Sequence, residues 1–188
     1  MSNIIIERLR GNNLPLPKYQ TVGSACFDLS ACLSRRMSEC LPNGKKRHFI
    51  YDIKSEYLRK YVEGQEDVIS EEADLSRLYI NPGEIILIPT GYKISFDDKL
   101  VLKLYIRSSI SLVGLNLANQ VGIIDSDYRG EVFLALKNNS DISQSIIHGD
   151  RIAQAMLECI IKTDIIADVV DSTARNDGGF GSTGRKLK

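Results

Sequence analysis

Tryptophan is absent from this 188-residue chain, histidine occurs twice and cysteine four times. The cysteines, Cys26, Cys32, Cys40 and Cys159, form no C-x-x-C pair, and His48 and His148 are the two imidazoles that could join them. Structural zinc sites need close-set thiolate and imidazole ligands, so a zinc framework is not expected. Free, buried thiols in a reducing compartment fit this usage better. Charge of one sign is missing too, because 24 Lys and Arg balance 24 Asp and Glu. A nucleic-acid or anionic-membrane surface wants a basic excess, so neither is expected as a direct partner, although a local basic pocket is allowed. No apolar run approaches the roughly 18 residues of a membrane span. The apolar run in MSNIIIERLRG is too short for a signal peptide. A soluble intracellular protein, cytoplasmic or nuclear, is the expectation.

What is present reads mostly as short strands and turns. Asn3–Arg8 is β-branched. Ile85–Ile88 is a buried-strand run between the Asn81-Pro82-Gly83 turn and Pro89-Thr90-Gly91. Leu100–Ile106 and Glu131–Leu136 are further strands, Asn138–Asp141 a turn, and Ile146–Leu157 a turn and then a strand. Spacing of this kind predicts an all-β sandwich or jelly roll. Residues 34–78 differ: they are crowded with charge, and Tyr57, Leu58, Tyr61 and Val62 fall on a helical stripe. Val68, Ile69, Ala73, Leu75 and Leu78 suggest a second short helix. The segment reads as a partly helical insertion, a solvated decoration on the side of a barrel.

Three groups of residues carry chemistry. Arg107-Ser108-Ser109 places a guanidinium and two hydroxyls in a row, donors that suit a phosphate. The run Leu115–Tyr128 offers extended backbone, Asn119, and then Asp125 and Asp127 beside Tyr128. A β-hairpin with a polar tip explains that pattern equally well. Asp28, among the small residues Gly23–Cys26, reads equally as a turn or cap aspartate. The tail from Arg175 to Gly184 is rich in glycine, which usually means a flexible terminus. Yet its glycine N–H groups, Arg175 and Phe180 together can wrap a phosphate and stack on a base.

Set in order, Ala25-x-x-Asp28-Leu29, Arg107-Ser108-Ser109, Asn119-x-x-Gly122-Ile123-Ile124-Asp125-x-Asp127-Tyr128-Arg129-Gly130, Gly149-Asp150-Arg151-Ile152-Ala153-Gln154 and Arg175–Gly184 resemble the five signature motifs of trimeric dUTP pyrophosphatases (dUTPases). The resemblance covers most of the chain outside the insertion. It implies a jelly-roll-like β-barrel or sandwich over residues 1–174, interrupted by the 34–78 insertion, with 175–188 as a C-terminal arm. It implies hydrolysis of dUTP to dUMP and pyrophosphate with Mg²⁺, which keeps uracil out of DNA and supplies dUMP for dTMP synthesis. It also implies a homotrimer whose active sites are each built from three chains.

By the same resemblance, Asp125 is the general base and Asp28 orders a water on the magnesium. Arg107, Ser108, Ser109, Gln154 and Arg175 serve the phosphates. Asn119, Gly122, Ile123 and Ile124 meet the uracil edge, Tyr128 lies under the sugar, and Phe180, Gly181 and Ser182 close over the nucleotide. Asp127 is read as fixing the turn, and His148 as a surface histidine. Small departures exist: Cys26 stands where the family often has glycine, and Tyr105-Ile106 where many members have a proline before the arginine. A dCTP deaminase shares the fold but wants an acid in the strand that here reads Leu134-Ala135-Leu136. A non-catalytic scaffold would have to act through the insertion.

Overall fold

The computed structural model describes residues 3–9, 11–33 and 77–179, and the strand backbones at 37–40, 46–52, 57–62 and 65–68. In chain order the strands are β1 (Ile5–Arg8), β2 (Phe27–Ser30), β3 (Met37–Cys40), β4 (Lys46–Asp52), β5 (Tyr57–Val62), β6 (Gln65–Val68), β7 (Arg77–Ile80), β8 (Ile85–Pro89), β9 (Tyr92–Ser95) and β10 (Leu100–Ile106). A single helical turn, α1 (Ser108–Ser111), follows. Then come β11 (Leu115–Leu117), β12 (Gly122–Ile124), β13 (Phe133–Asn138), β14 (Gln144–Ile147) and β15 (Arg151–Cys159). The expected all-β class is what forms.

Two sheets carry the core. One has the order β12-β10-β15-β2, the other β11-β13-β8-β3-β4-β5-β6, and the pairs β1-β9 and β14-β7 complete the fold. Alternation along the strands decides what faces inward. β13 buries Leu134, Leu136 and Asn138, with half-buried residues between them. Opposite stand Phe27 and Leu29 of β2, Leu102 and Leu104 of β10, and Ala153 and Ala155 of β15, in one buried cluster with Ile86 and Ile88. Each fully buried Leu or Ile contributes roughly 1.5–3 kcal/mol. Asn138 is fully buried among these side chains, and every polar atom of its side chain is used. Its amide donates to the carbonyls of Ile80 and Ile142, each at 2.8 Å, and its oxygen accepts from the Ser140 N–H and hydroxyl.

The helical reading of the insertion is overturned where the backbone is described. β4, β5 and β6 form an antiparallel meander, and β3 joins it to β8 through Ser38↔Leu87 and Glu39↔Ile86. Tyr57 and Tyr61 are four residues apart, a separation that fits a two-residue period as well as a helical one. Aromatic and β-branched content then favours the pleated surface. Of the second expected helix, Val68 ends β6 and Leu78 lies in β7, while residues 69–76 lie outside the described residues. Among the described residues, no helix is long and apolar enough to cross a membrane.

Candidate active site

The ladders bring the first group of polar residues together. β15 pairs with β10 and with β2, so Tyr105, Gln154 and Asp28 stand in one row across the sheet. Arg107 follows the last residue of β10, its extended backbone (φ −76°, ψ 144°) leading into α1. From there its Nε lies 3.1 Å from Asp28 Oδ1. Arg151, which opens β15, places a terminal guanidinium nitrogen 3.0 Å from Asp28 Oδ2. Arg107 also donates to the Arg151 carbonyl at 3.1 Å. The Asp28 side chain is 11% exposed and Arg151's is 48% exposed, so the carboxylate is sheltered while the guanidinium faces solvent.

Two guanidinia around one carboxylate leave a net positive charge at this end of the sheet. Gln154 adds an amide that donates to the Ile106 carbonyl at 3.4 Å. Ser108 and Ser109 follow Arg107 and are exposed. A cavity of about 300 Å³ lies against the cluster, lined in part by Lys18, Ser30, Gly149, Arg151 and Asp28. Cys26, two residues before Asp28, has its thiol pushed up by burial and then by the Asp28 charge. It is therefore held as a thiol, poorly suited to nucleophilic work.

The second group sits elsewhere. β12 pairs with β10 at Leu102↔Ile124 and Leu104↔Gly122, so Asp125 is level with Val101, near the end of β10 that is far from Arg107. Gly122 is needed for this pairing, since a Cβ there would stand 2.9 Å from that of Leu104. Asp125 is exposed, and its carbonyl accepts from the Tyr128 N–H at 3.1 Å in a turn. A cleft of about 500 Å³ holds Asp125 with Ser126, Asp127, Asp98 and Lys162. Arg129 closes the turn by donating to the Ser126 carbonyl at 2.7 Å. Tyr128, 42% exposed, donates from its hydroxyl to the Glu131 carbonyl at 2.9 Å.

Leu115–Tyr128 is not a closed hairpin. β11 pairs with β13 and β12 with β10, so the two strands are edges of different sheets. Asn119 lies exposed in the link between them. Each edge strand keeps one side unpaired by any described strand.

Other expectations meet mixed outcomes. Arg175 turns back on its own arm, donating to the Gly178 carbonyl at 2.8 Å. Phe180, Gly181 and Ser182 lie outside the described residues. Among the thiols, Cys32 is buried as expected, but Cys26 is half-buried and Cys159 exposed. Cys40 falls in a strand described by its backbone alone. His148 is not a plain surface residue. Its Nδ1 accepts the Leu33 N–H at 3.1 Å, and its Nε2 meets Asn13 Oδ1 at 2.9 Å. Burial lowers its pKa. Arg151 is the residue that the sequence reading left unassigned. Its signal was present in Gly149-Asp150-Arg151, but the contact with Asp28 spans 123 positions and needs the strand register.

Comparison with known proteins bears on the family and the fold. Residues 73–184 match the dUTPase family model. The deoxyuridine 5′-triphosphate nucleotidohydrolase of Hahella chejuensis is 33% identical over 185 residues, covering 97% of this chain and 95% of the relative. That of Finegoldia magna is 33% identical over 181 residues, covering 95% and 98%. Among solved structures, the Streptococcus mutans dUTPase superimposes with a TM-score of 0.57 at 25% identity, covering 85% of this chain and 98% of that one. A Staphylococcus bacteriophage 80alpha dUTPase with dUPNHPP gives 0.66 at 18% identity over 97% and 99%, a likeness of fold.

Proposed function

The chain belongs to the dUTPase family and hydrolyses dUTP to dUMP and pyrophosphate, and from that premise we propose that it does so in sites shared between three copies, with Asp125 of one copy facing the arginine cluster of another. The observation that carries this reading is the separation of the two groups. Asp125 is level with Val101, six residue steps from Arg107, a span of about 20 Å at ~3.3 Å per residue. A base and the donors for the phosphate it attacks must lie within a few ångströms of one substrate. One copy alone does not bring them together, and a homotrimer would. Unpartnered apolar side chains on 160–172 support association. Ile161, Ile165, Val169 and Val170 are each at least 90% exposed.

In this reading, Asp125 takes a proton from the water that attacks the α-phosphorus, worth roughly 10²–10⁴-fold. Arg107, Arg151, Ser108, Ser109 and Gln154 hold the phosphates and the negative charge of the leaving pyrophosphate. Uracil would enter beside β12, whose outer edge can offer N–H and C=O groups at Gly122, Ile123 and Ile124, with Asn119 close by. Cytosine presents the wrong donor there and would leave a buried group unpaired. Tyr128 would sit under the sugar, where a 2′-hydroxyl has no room. The arm from Arg175, with Phe180, Gly181 and Ser182, would close over the nucleotide of a neighbouring copy. The 16 residues after Cys159 reach as far as ~55 Å when extended.

Mg²⁺ fits the donor set through water. Both carboxylate oxygens of Asp28 already accept from guanidinia. Among the described residues, no three His, Cys, Asp or Glu converge as metal ligands. The ion would be held by substrate oxygens and its own waters, one of them on Asp28, and would neutralise triphosphate charge. The test is pyrophosphate release from dUTP, dCTP, dTTP and UTP with and without Mg²⁺. Turnover confined to dUTP and stimulated by Mg²⁺ is expected. Equal turnover of dCTP or UTP would remove the proposed pocket.

A further inference from the structure

We propose that Gly130 is a specificity-setting residue: it holds no ligand, but makes the seat on which the Tyr128 ring rests, and so sets how strictly the sugar is read. The inference builds on Tyr128 as the residue under the sugar. Gly130 does not owe its identity to backbone conformation, because its φ lies outside the left-handed region where five other glycines of the chain are found. What it lacks is room. A Cβ at this position would stand 2.5 Å from Tyr128 Cζ and 2.9 Å from Cε2, and would collide with the hydroxyl as well. The ring therefore lies directly on the main chain of residue 130.

The seat has a second point of attachment. The Tyr128 hydroxyl donates to the Glu131 carbonyl at 2.9 Å. Glu131 is itself fixed, since its carboxylate accepts the Gly91 N–H at 2.8 Å. Next to it, the Val132 N–H donates to the Tyr92 carbonyl at 2.9 Å, and the Val132 carbonyl accepts from Thr90. Tyr92 and Thr90 belong to the fully buried core. The ring is thus held on one side by bare backbone and at its tip by a carbonyl anchored in the core.

A methyl group at 130 would lever the ring outward. The fold accommodates this at low cost, because a half-exposed tyrosine has solvent to swing into, whereas the sugar loses the wall that excludes a 2′-hydroxyl. Glycine at this position therefore serves discrimination more than stability.

The test compares kcat/KM for dUTP and for UTP, by pyrophosphate release, in the wild type, Gly130→Ala and Tyr128→Phe, with circular dichroism to confirm folding. Tyr128→Phe keeps the ring and removes its bond to Glu131, so it decides the matter if Gly130→Ala does not fold. The expected result is a dUTP:UTP ratio at least about tenfold lower in Gly130→Ala and several-fold lower in Tyr128→Phe. The rate on dUTP should change less than the ratio. An unchanged ratio in both variants, or equal loss on both substrates, would overturn the role of the seat. A wild-type ratio near one would overturn it together with the reading of Tyr128 beneath it.

Discussion

Arg107 and Asp125 stand at opposite ends of β10. Arg107 follows its last residue, and Asp125 follows β12, which runs antiparallel to β10 and meets it at Leu102 and Leu104. Arg107 is occupied with Asp28 at 3.1 Å, while Asp125 looks into a separate cleft with Asp98, Asp127 and Lys162. The guanidinium and the carboxylate are thus set in two separate places on one chain.

Asp125→Asn is expected to keep nucleotide binding and to lower kcat by about 10²–10⁴-fold, the usual worth of a positioned base. Single-turnover kinetics beside calorimetric binding of a non-hydrolysable analogue separates the two effects. Near-wild-type turnover would move the base elsewhere, Asp127 being next in line in the same cleft.

Asp28→Asn should cost stability and metal response together. The carboxylate is sheltered, yet Arg151 is half exposed, so the ion-pair loss is expected to be about 1 kcal/mol after solvent screening. Urea denaturation measures this. The Mg²⁺ concentration for half-maximal turnover should rise, because the water that Asp28 would hold loses its charged acceptor. An unaltered Mg²⁺ response would detach Asp28 from the metal.

His148 gives the pH dependence of stability a definite sign. Burial holds its folded-state pKa below the ordinary value of 6.5. The unfolded chain therefore binds the proton first as pH falls, and stability is lost below about pH 6.5. Protonation would also place a hydrogen on Nδ1, opposite the Leu33 N–H that it now accepts. Melting temperatures across pH 5–8 should show the wild type falling away from a His148→Asn variant on the acid side. Parallel curves would assign that slope to other groups.

Removal of residues 175–188 should lower turnover by at least about tenfold, if the arm supplies the proposed phosphate donor and the cover that excludes water. Assembly should persist, since the apolar residues of 160–172 remain. Sedimentation beside steady-state kinetics distinguishes the two. Full activity in the shortened chain would make the arm dispensable.

Local patterns proved readable where neighbours in sequence decide the outcome. Leu100–Ile106 was expected as a strand and forms one with those bounds. Asn138–Asp141 was expected as a turn, and Asn138 closes it with its own side chain. What was not legible depends on residues far apart. Asp28 meets Arg151 because β2 and β15 pair, and His148 meets Leu33 and Asn13 across 115 and 135 positions. Periodicity misled at Tyr57 and Tyr61, where a spacing of four suits strand and helix alike. The run through Asn119 looked like a closed hairpin, because a strand signal does not say which neighbour the strand will pair with.

Mixing two inactive variants tests the shared site most directly. Arg107→Gln and Asp125→Asn chains, co-refolded in equal amounts, place intact Arg107 and intact Asp125 on different copies. If each site draws these residues from two copies, random assembly restores about one quarter of the sites. Activity should then climb to about 25% of wild type, while each variant alone stays near zero. No recovery in verified mixed assemblies would show that one copy supplies both residues, and would contradict a site divided between chains.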